Sequence, residues 1–253
     1  MKYVRFQKAD KTIKSGIVEG NSIKTVEGNI FGEHKVTDES YNLDDVKLLS
    51  PVEPSKLLCI GLNYSDHAKE FGKPIPEEPM LFLKPPTCVI GPEDNIMYPS
   101  QTQNLHYEVE LVIVIGKEAK NVSEEKAFDY VFGYTVGNDV TARDIQFRDN
   151  QWGRAKGFDT FAPLGPWIET EIKDPDSLDV KLLLNGEVKQ SSNTSNLFFK
   201  CANLISYLSG IMTLLPGDVI MTGTPGGIGP MQVGDKVEAI VDGIGTLKNY
   251  IAK

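Results

Sequence analysis

Residues 105–115 read LHYEVELVIVI, which predicts a buried β-strand with two carboxylates near its start. Its second half contains only Leu, Val and Ile, and β-branched residues favour the pleated surface of a sheet. Glu108 and Glu110 are two residues apart, so in a strand they share a face, here the one continued by Val112 and Val114. Two carboxylates on an apolar face require a cation, whereas a solvated strand end would leave them as ordinary surface glutamates.

Further strands are predicted on both sides of this segment, and they outnumber the helices. The strand candidates besides 108–115 are 132–138, 180–184, 218–221 and 236–241, and the helix candidates are 64–71, 123–131 and 197–208. Strands and helices do not alternate as they do in a doubly wound sheet. The pattern therefore predicts an α+β fold dominated by sheet.

The first fifty residues predict a small β-rich module, 1–50, ahead of a catalytic domain at 51–253. Short alternating strands are interrupted at 14–16, 19–21 and 27–29, where Gly, Ser and Asn are typical of tight turns. Pro51 and Pro54 mark the end of the module, because proline neither donates to a strand ladder nor continues a helix.

The charge balance disfavours two classes of partner. With 26 Lys and Arg against 35 Asp and Glu, the net charge is -9, which repels phosphate backbones and anionic membranes. We therefore expect no nucleic acid and no membrane as partners. Residues 1–11 lack the apolar stretch of an export signal, and Cys59, Cys88 and Cys201 have no metal or disulfide spacing, so we expect a cytoplasmic protein.

A third acid follows the predicted strand 132–138. Asp139 lies in GNDVTARD, residues 137–144, and would complete a three-carboxylate set with Glu108 and Glu110. An acid in this place is also common as a turn or helix-cap residue. Oxygen-only ligands suit Mg²⁺ or Mn²⁺, with Ca²⁺ as an alternative, and they disfavour zinc.

Three other features have catalytic or substrate-binding interpretations. His67 and Glu70 are three apart, so one helical turn would pair them as a general base, or as an ordinary surface pair. Lys156 and Arg143 are candidates for holding negative charge on a substrate. The loop TGTPGGIG, residues 222–229, offers N–H groups and hydroxyls to a carboxylate, and a plain tight turn is the alternative.

Taken together, six segments resemble the fumarylacetoacetate hydrolase family over residues 55–250. They occur in the family's order and read GLNYSDH (61–67), FLKP (82–85), YEVEL (107–111), NDVTARD (138–144), KGFD (156–159) and TGTPGG (222–227).

The resemblance is to the branch of acylpyruvases and 2-hydroxyhepta-2,4-diene-1,7-dioate isomerases. It implies mixed β-sheets with few helices and a homodimer, and the N-terminal fifty residues resemble the short β module of many members. One departure is Leu62, because some acylpyruvase-type members have arginine there. The implied site has metal ligands Glu108, Glu110 and Asp139, catalytic residues His67, Glu70 and Lys156, and substrate-binding residues Arg143, Gln146 and Thr224.

The implied activity is cleavage of a C–C bond in a small anionic 2-oxo acid, through an enolate stabilised by Mg²⁺ or Mn²⁺. Hydrolysis of acylpyruvates is the leading reaction. The same site would support oxaloacetate decarboxylation or isomerisation of 2-hydroxyhepta-2,4-diene-1,7-dioate. A hypothesis of another class is a non-catalytic ligand-binding protein on the same fold, although such a protein would not need an acid–base pair.

Overall fold

Three β-sheets form most of the molecule in the computed structural model, which describes residues 1–65 and 76–253. The first strands are β1 (Lys2–Gln7), β2 (Ile13–Glu19), β3 (Ser22–Gly28), β4 (His34–Asn42) and β5 (Lys47–Leu49). The next are β6 (Leu57–Gly61), β7 (Met80–Lys84), β8 (Val89–Ile90), β9 (Asn95–Met97), β10 (Leu105–Tyr107), β11 (Val109–Ile115) and β12 (Val131–Asn138). The last are β13 (Thr141–Ala142), β14 (Ala162–Glu169), β15 (Asp179–Leu184), β16 (Glu187–Asn193), β17 (Val219–Met221), β18 (Gly229–Met231), β19 (Lys236–Val241) and β20 (Gly245–Ala252).

Helices are short and few in the part of the chain that the structure describes. The α-helices are α1 (Arg143–Arg148), α2 (Gly153–Lys156) and α3 (Cys201–Ile211). The 3-10 helices are Leu43–Asp45, Pro86–Cys88, Glu124–Tyr130 and Thr194–Asn196. The predicted sheet-dominated α+β fold is confirmed.

The largest sheet has twelve strands and joins the N-terminal strands to the rest of the chain. Its order is β4-β3-β2-β1-β14-β12-β11-β17-β6-β7, with β5 on β1 and β8 on β14. The sheet is mixed, because β17 pairs parallel with β6 while β11 pairs antiparallel with β12. A five-stranded sheet, β16-β15-β19-β20-β9, and a three-stranded sheet, β13-β10-β18, complete the fold.

Strand β11 lies at the centre of the core, and all seven of its residues are buried. Leu111 and Ile113 pack into the larger hydrophobic cluster, whereas Val112 and Val114 pack into a second cluster. The alternation follows from the two-residue period of a strand. Glu110 therefore lies on the Val112 face, as the sequence predicts.

The predicted strand 108–115 begins one residue too early. Glu108 separates β10 from β11 instead of belonging to either strand. Its N–H donates to Oδ1 of Asn138 at 2.9 Å, and its carbonyl accepts from the N–H of Asp139 at 2.8 Å. These bonds satisfy the backbone of Glu108 at the break between the strands.

Two of the predicted helices differ in the structure, and a third is only partly described. Segment 123–131 forms the 3-10 helix Glu124–Tyr130, not an α-helix. Segment 197–208 becomes helical only at Cys201, because Leu197 forms a β-bridge with Tyr64 and Phe198 donates to the carbonyl of Asn63. Of the candidate 64–71, the part beyond Ser65 lies outside the described residues.

The turn predicted at 14–16 is wrong, whereas 19–21 and 27–29 do lie where strands end. Gly16 is inside β2, and a Cβ built there would lie 2.3 Å from Cγ2 of Ile23. The glycine therefore reflects close packing between strands. The turn occurs earlier, where Lys8 donates to the carbonyl of Thr12 and Lys11 has a φ of 71°.

A buried carboxylate holds the segment that enters β6. Asp218 is fully buried and accepts hydrogen bonds from the backbone N–H groups of Ser55, Lys56 and Leu215. It also accepts from the Ser55 hydroxyl and forms an ion pair with the Lys56 ammonium. These contacts fix the start of the parallel pair β6–β17.

We expect Asp218→Ala to lower the free energy of unfolding by about 3 kcal/mol, because buried donors lose their acceptor and Lys56 loses its counterion. Denaturant titration followed by circular dichroism measures this change. Asp242→Ala, at an exposed aspartate, is the matched control and should change stability by less than about 0.5 kcal/mol. Equal stability of the two variants would contradict the assigned role of Asp218.

Candidate active site

A cavity of about 340 Å³ lies where β6, β7 and β11 meet helices α1 and α2, next to the end of β12. Its lining divides into a polar part and an apolar part. The polar residues are Glu108, Glu110, Asp139, Arg143, Gln146, Lys156 and Thr224, and the others are Ile60, Gly61, Leu62, Phe82, Phe147 and Trp152.

Three carboxylates converge in the polar part. Glu108, Glu110 and Asp139 are each at most 4% exposed, and one oxygen of each lies within 4.8 Å of the others. The antiparallel pairing of β11 with β12 brings them together, because Val109 opposes Asn138. The start of one strand therefore meets the end of the other, and the three predicted ligands are neighbours.

Lys156, the last residue of α2, bridges two of these carboxylates. Its Nζ lies 2.8 Å from Oε2 of Glu108 and 2.5 Å from Oδ2 of Asp139. Burial acts to lower the pKa of Lys156, but Asp139 and Glu108 outweigh this effect and raise its pKa. The two carboxylates therefore stabilise the ammonium form of Lys156, which donates a hydrogen bond to each of them.

Arg143, the first residue of α1, contacts the Glu108 carboxylate and Gln146. Its guanidinium donates to Oε1 of Glu108 and to Oε1 of Gln146, and the side chain is buried. The Thr141 hydroxyl donates to the same Glu108 oxygen at 3.1 Å. The structure thus brings the predicted substrate-binding residues Arg143 and Gln146 to the edge of the carboxylate cluster.

Lys84 is a further cation of the cluster, and its sequence context did not predict this role. It is 1% exposed, and its Nζ lies 2.5 Å from Oδ1 of Asp139. The same Nζ donates to the carbonyls of Phe161 and Val140 at 2.6 and 3.2 Å. One sequence feature does indicate its position: Lys84 follows Phe82 by two residues in an apolar strand, so both side chains lie on one face.

Glu110 differs from its two neighbours in its partners. It accepts a hydrogen bond from the N–H of Gly223 at 2.7 Å, and no lysine or arginine of the described residues pairs with it. Burial raises its pKa well above the usual range, and Asp139 and Glu108 raise it further. Of the three carboxylates, Glu110 is therefore the one whose negative charge a bound cation would stabilise most.

The loop 222–229 is fixed by side chains from elsewhere. Gly223 has a φ of 105°, and a Cβ there would lie 2.9 Å from Cβ of Asn63. Buried Gln190 donates to the hydroxyl of Thr224 at 2.9 Å and to the carbonyl of Pro225 at 2.8 Å. The loop therefore presents Thr224 to the cavity, while its Gly223 N–H is already bound to Glu110.

The donor set fits a hard divalent cation. Three carboxylates, one without a cationic partner among the described residues, offer oxygen ligands alone, which suit Mg²⁺ or Mn²⁺. Both oxygens of Glu108 and both oxygens of Asp139 accept hydrogen bonds from Lys84, Lys156 or Arg143, so a bound cation would share these oxygens with the three side chains that orient them.

Two of the predicted catalytic residues, His67 and Glu70, lie outside the described residues. Leu62, close to the last described residue of that segment, lines the cavity. Within 1–65 and 76–253, none of the helices is both long enough and apolar enough to cross a bilayer.

Comparison with known families gives two matches that together cover most of the chain. The family described as "Fumarylacetoacetate (FAA) hydrolase C-terminal" matches residues 56–252, and "Rv2993c-like, N-terminal" matches residues 1–51. The chain is also 44% identical over 219 residues to the mitochondrial oxaloacetate tautomerase fahd2 of Xenopus laevis, which covers 82% of this chain and 69% of that protein.

Solved structures share the whole fold. The 5-carboxymethyl-2-hydroxymuconate delta-isomerase of Mycobacterium smegmatis is 44% identical, with a TM-score of 0.93 over 100% of this chain and 99% of that one. The maleylpyruvate hydrolase of Sphingobium sp. SYK-6, in complex with manganese(II) and pyruvate, is 29% identical, with a TM-score of 0.84 and the same coverage.

We expect Lys84→Met to lower the free energy of unfolding by about 3 kcal/mol, because Asp139 loses a buried cation and two carbonyls lose their donor. The change should be read by denaturant titration without added metal. Lys126→Met, at an exposed lysine, is the matched control. If both variants unfold at the same denaturant concentration as the unsubstituted protein, Lys84 does not stabilise the cluster.

Proposed function

Because the chain belongs to the fumarylacetoacetate hydrolase family, we propose that it is a divalent-metal-dependent enzyme that cleaves a C–C bond in small 2-oxo acids. Hydrolysis of acylpyruvates is the proposed reaction: water and an acylpyruvate give a carboxylic acid and pyruvate. The observation that carries the proposal is the convergence of Glu108, Glu110 and Asp139 in a cavity that also holds Lys156 and Arg143.

The proposed cofactor is Mg²⁺ or Mn²⁺, held by Glu108, Glu110 and Asp139. When bound, such an ion supplies Lewis-acid chemistry that polarises a substrate oxygen. The manganese and pyruvate in the Sphingobium hydrolase support both this choice and a 2-oxo acid as substrate.

The charges of the cluster favour an anionic reacting group. Lys84, Lys156 and Arg143 balance the three carboxylates, so a divalent cation leaves two positive charges among the described residues. A 2-oxo acid has one negative charge on its carboxylate and gains a second on the enolate oxygen when the C3–C4 bond breaks. The site thus matches the charge that develops during the reaction better than it matches the substrate.

Individual side chains have distinct proposed roles. Lys156 keeps its proton and donates to the developing enolate oxygen, since its ammonium already lies among the carboxylates. Arg143 and Gln146, joined by a hydrogen bond, orient the substrate carboxylate together with the Thr224 hydroxyl. Hydrolysis also requires a base for the attacking water, and His67 with Glu70 is the candidate pair from the sequence.

A second candidate reaction is interconversion of the keto and enol forms of oxaloacetate. The name of the Xenopus relative favours it, and it requires proton transfer at C3 through an enolate without attack by water. Oxaloacetate decarboxylation, and isomerisation of the kind named for the Mycobacterium smegmatis structure, would use a related enolate.

Assay of acetylpyruvate and oxaloacetate with added Mg²⁺ or Mn²⁺ tests these candidates. Pyruvate, CO₂ and the ultraviolet absorbance of the enol are read separately. Metal-dependent release of pyruvate and acetate from acetylpyruvate is the expected result. Turnover of oxaloacetate alone would favour the second candidate, and metal binding without turnover of either compound would indicate a binding protein.

We expect Glu110→Gln to weaken Mn²⁺ binding by at least about 100-fold, because loss of an outer partner alone costs about 10- to 100-fold. Binding is measured by isothermal titration or by the electron paramagnetic resonance signal of free Mn²⁺. Glu118→Gln, at an exposed glutamate beyond the end of β11, is the matched control. Wild-type Mn²⁺ affinity in Glu110→Gln would remove Glu110 from the ligand set.

We expect His67→Ala to lower kcat for acetylpyruvate hydrolysis by about 100-fold or more, which is the contribution of a general base. Mn²⁺ affinity should stay unchanged, because His67 is not a proposed ligand. His34→Ala, in the N-terminal strands, is the control and should retain full activity. Hydrolysis at the wild-type rate in His67→Ala would mean that another group activates the water.

A further inference from the structure

The cavity lining has a continuous apolar part beside the ionic part. The apolar part consists of Ile60, Leu62, Phe82, Phe147 and Trp152, and among the described residues no charged side chain interrupts it. Phe82 and Trp152 pack edge to face, with ring centroids 5.3 Å apart and planes at 74°. Such a pair gives a rigid apolar surface.

Gly61 makes room for this surface. A Cβ at position 61 would lie 2.5 and 2.8 Å from two carbons of the Trp152 ring, so the ring packs directly on the glycine backbone. The next residue, Leu62, has a φ of 53°, which non-glycine residues seldom adopt. The chain therefore accepts an unfavourable backbone conformation at a residue that lines the cavity.

The apolar and ionic parts adjoin each other. The Nζ of Lys156 lies 5.1 Å from the centroid of the Phe82 ring. Trp152 accepts the backbone hydrogen bond of Lys156, so one helical turn carries both the indole and the ammonium. On α1, Gln146 and Phe147 are adjacent, and both line the cavity. Phe147 is 69% exposed, so its apolar ring faces water.

From this arrangement we infer that Ile60, Leu62, Phe82, Phe147 and Trp152 form a subsite for a hydrocarbon group. The inference rests on the proposed function: with the 2-oxo acid end among the charges, the group attached to C4 meets the apolar surface. The preferred substrates are then 2,4-dioxo acids with an alkyl or aryl substituent. A second carboxylate at that end would lose its hydration there without gaining a counterion from the described residues.

The size of the cavity agrees with an aryl group. An apolar cavity of about 150 Å³ holds a benzene ring. The volume of about 340 Å³ therefore accommodates a phenyl group and leaves more than half of the space for the dioxo acid.

Two 2-oxo acids that lack a C4 carbonyl, and therefore cannot be hydrolysed, test the subsite by binding alone. They are 2-oxo-4-phenylbutanoate, with an apolar end, and 2-oxoadipate, with a second carboxylate. Their affinities for the Mn²⁺-loaded protein are measured by isothermal titration. We expect the phenyl compound to bind about 30-fold more tightly, as burial of a phenyl group predicts.

We expect Leu62→Arg to reduce or reverse this preference by at least about 10-fold, because a guanidinium would pair with the second carboxylate. Phe147→Arg should act in the same direction, and its exposed position makes it the variant that is easier to fold. Leu83→Arg is the matched control, since Leu83 is 45% exposed on β7 and does not line the cavity.

The outcomes separate this inference from the proposed function. Tighter binding of the phenyl compound, together with a shift in Leu62→Arg or Phe147→Arg but not in Leu83→Arg, supports the subsite. Equal binding of the two compounds, or equal effects of all three arginines, overturns the subsite while the proposed function stands. If neither compound binds the Mn²⁺-loaded protein, the proposed function is overturned together with the subsite.

Discussion

The burial of three carboxylates in one place is the constraint on which the rest of the site depends. Each carboxylate removed from water costs several kcal/mol unless a cation and hydrogen bonds compensate for it. Lys84, Lys156 and Arg143 compensate Glu108 and Asp139, whereas Glu110 has only the N–H of Gly223 among the described residues. Because no lysine or arginine of the described residues pairs with Glu110, a divalent cation bound beside it would offset much of this cost.

Elements that are distant in sequence satisfy this constraint together. The carboxylates lie at adjoining ends of β11 and β12, whereas the cations come from β7, α1 and α2. The large sheet holds β7 and β11 in one framework, with β17 and β6 between them. The cluster can form only when the sheet is complete, so its geometry is set by the fold and not by any local segment.

Features that depend on sequence spacing could be predicted. The two-residue period places Glu110 with Val112, and the acid at the end of the next strand points to Asp139. Burial, in contrast, depends on tertiary packing. The spacing of Lys84 from Phe82 places the two side chains on one face of a strand, but it does not indicate that the lysine will be 1% exposed. Gly16 looks like a turn residue, although it allows close packing against Ile23. The late start of α3 has the same origin, because the bridge between Leu197 and Tyr64 overrides helical periodicity.

The division of the lining bears on how such a site acquires its specificity. Lys156 and Arg143 both form ion pairs with Glu108. Replacing either residue would therefore change the net charge of the site in which the proposed enolate forms. Leu62 and Phe147 belong to no ion pair of the described residues, and they line the same cavity. Under the proposed function, substitution at these two positions can therefore change which group is accepted while the charged side chains stay in place. The proposed chemistry and the proposed selectivity thus depend on different side chains of one cavity.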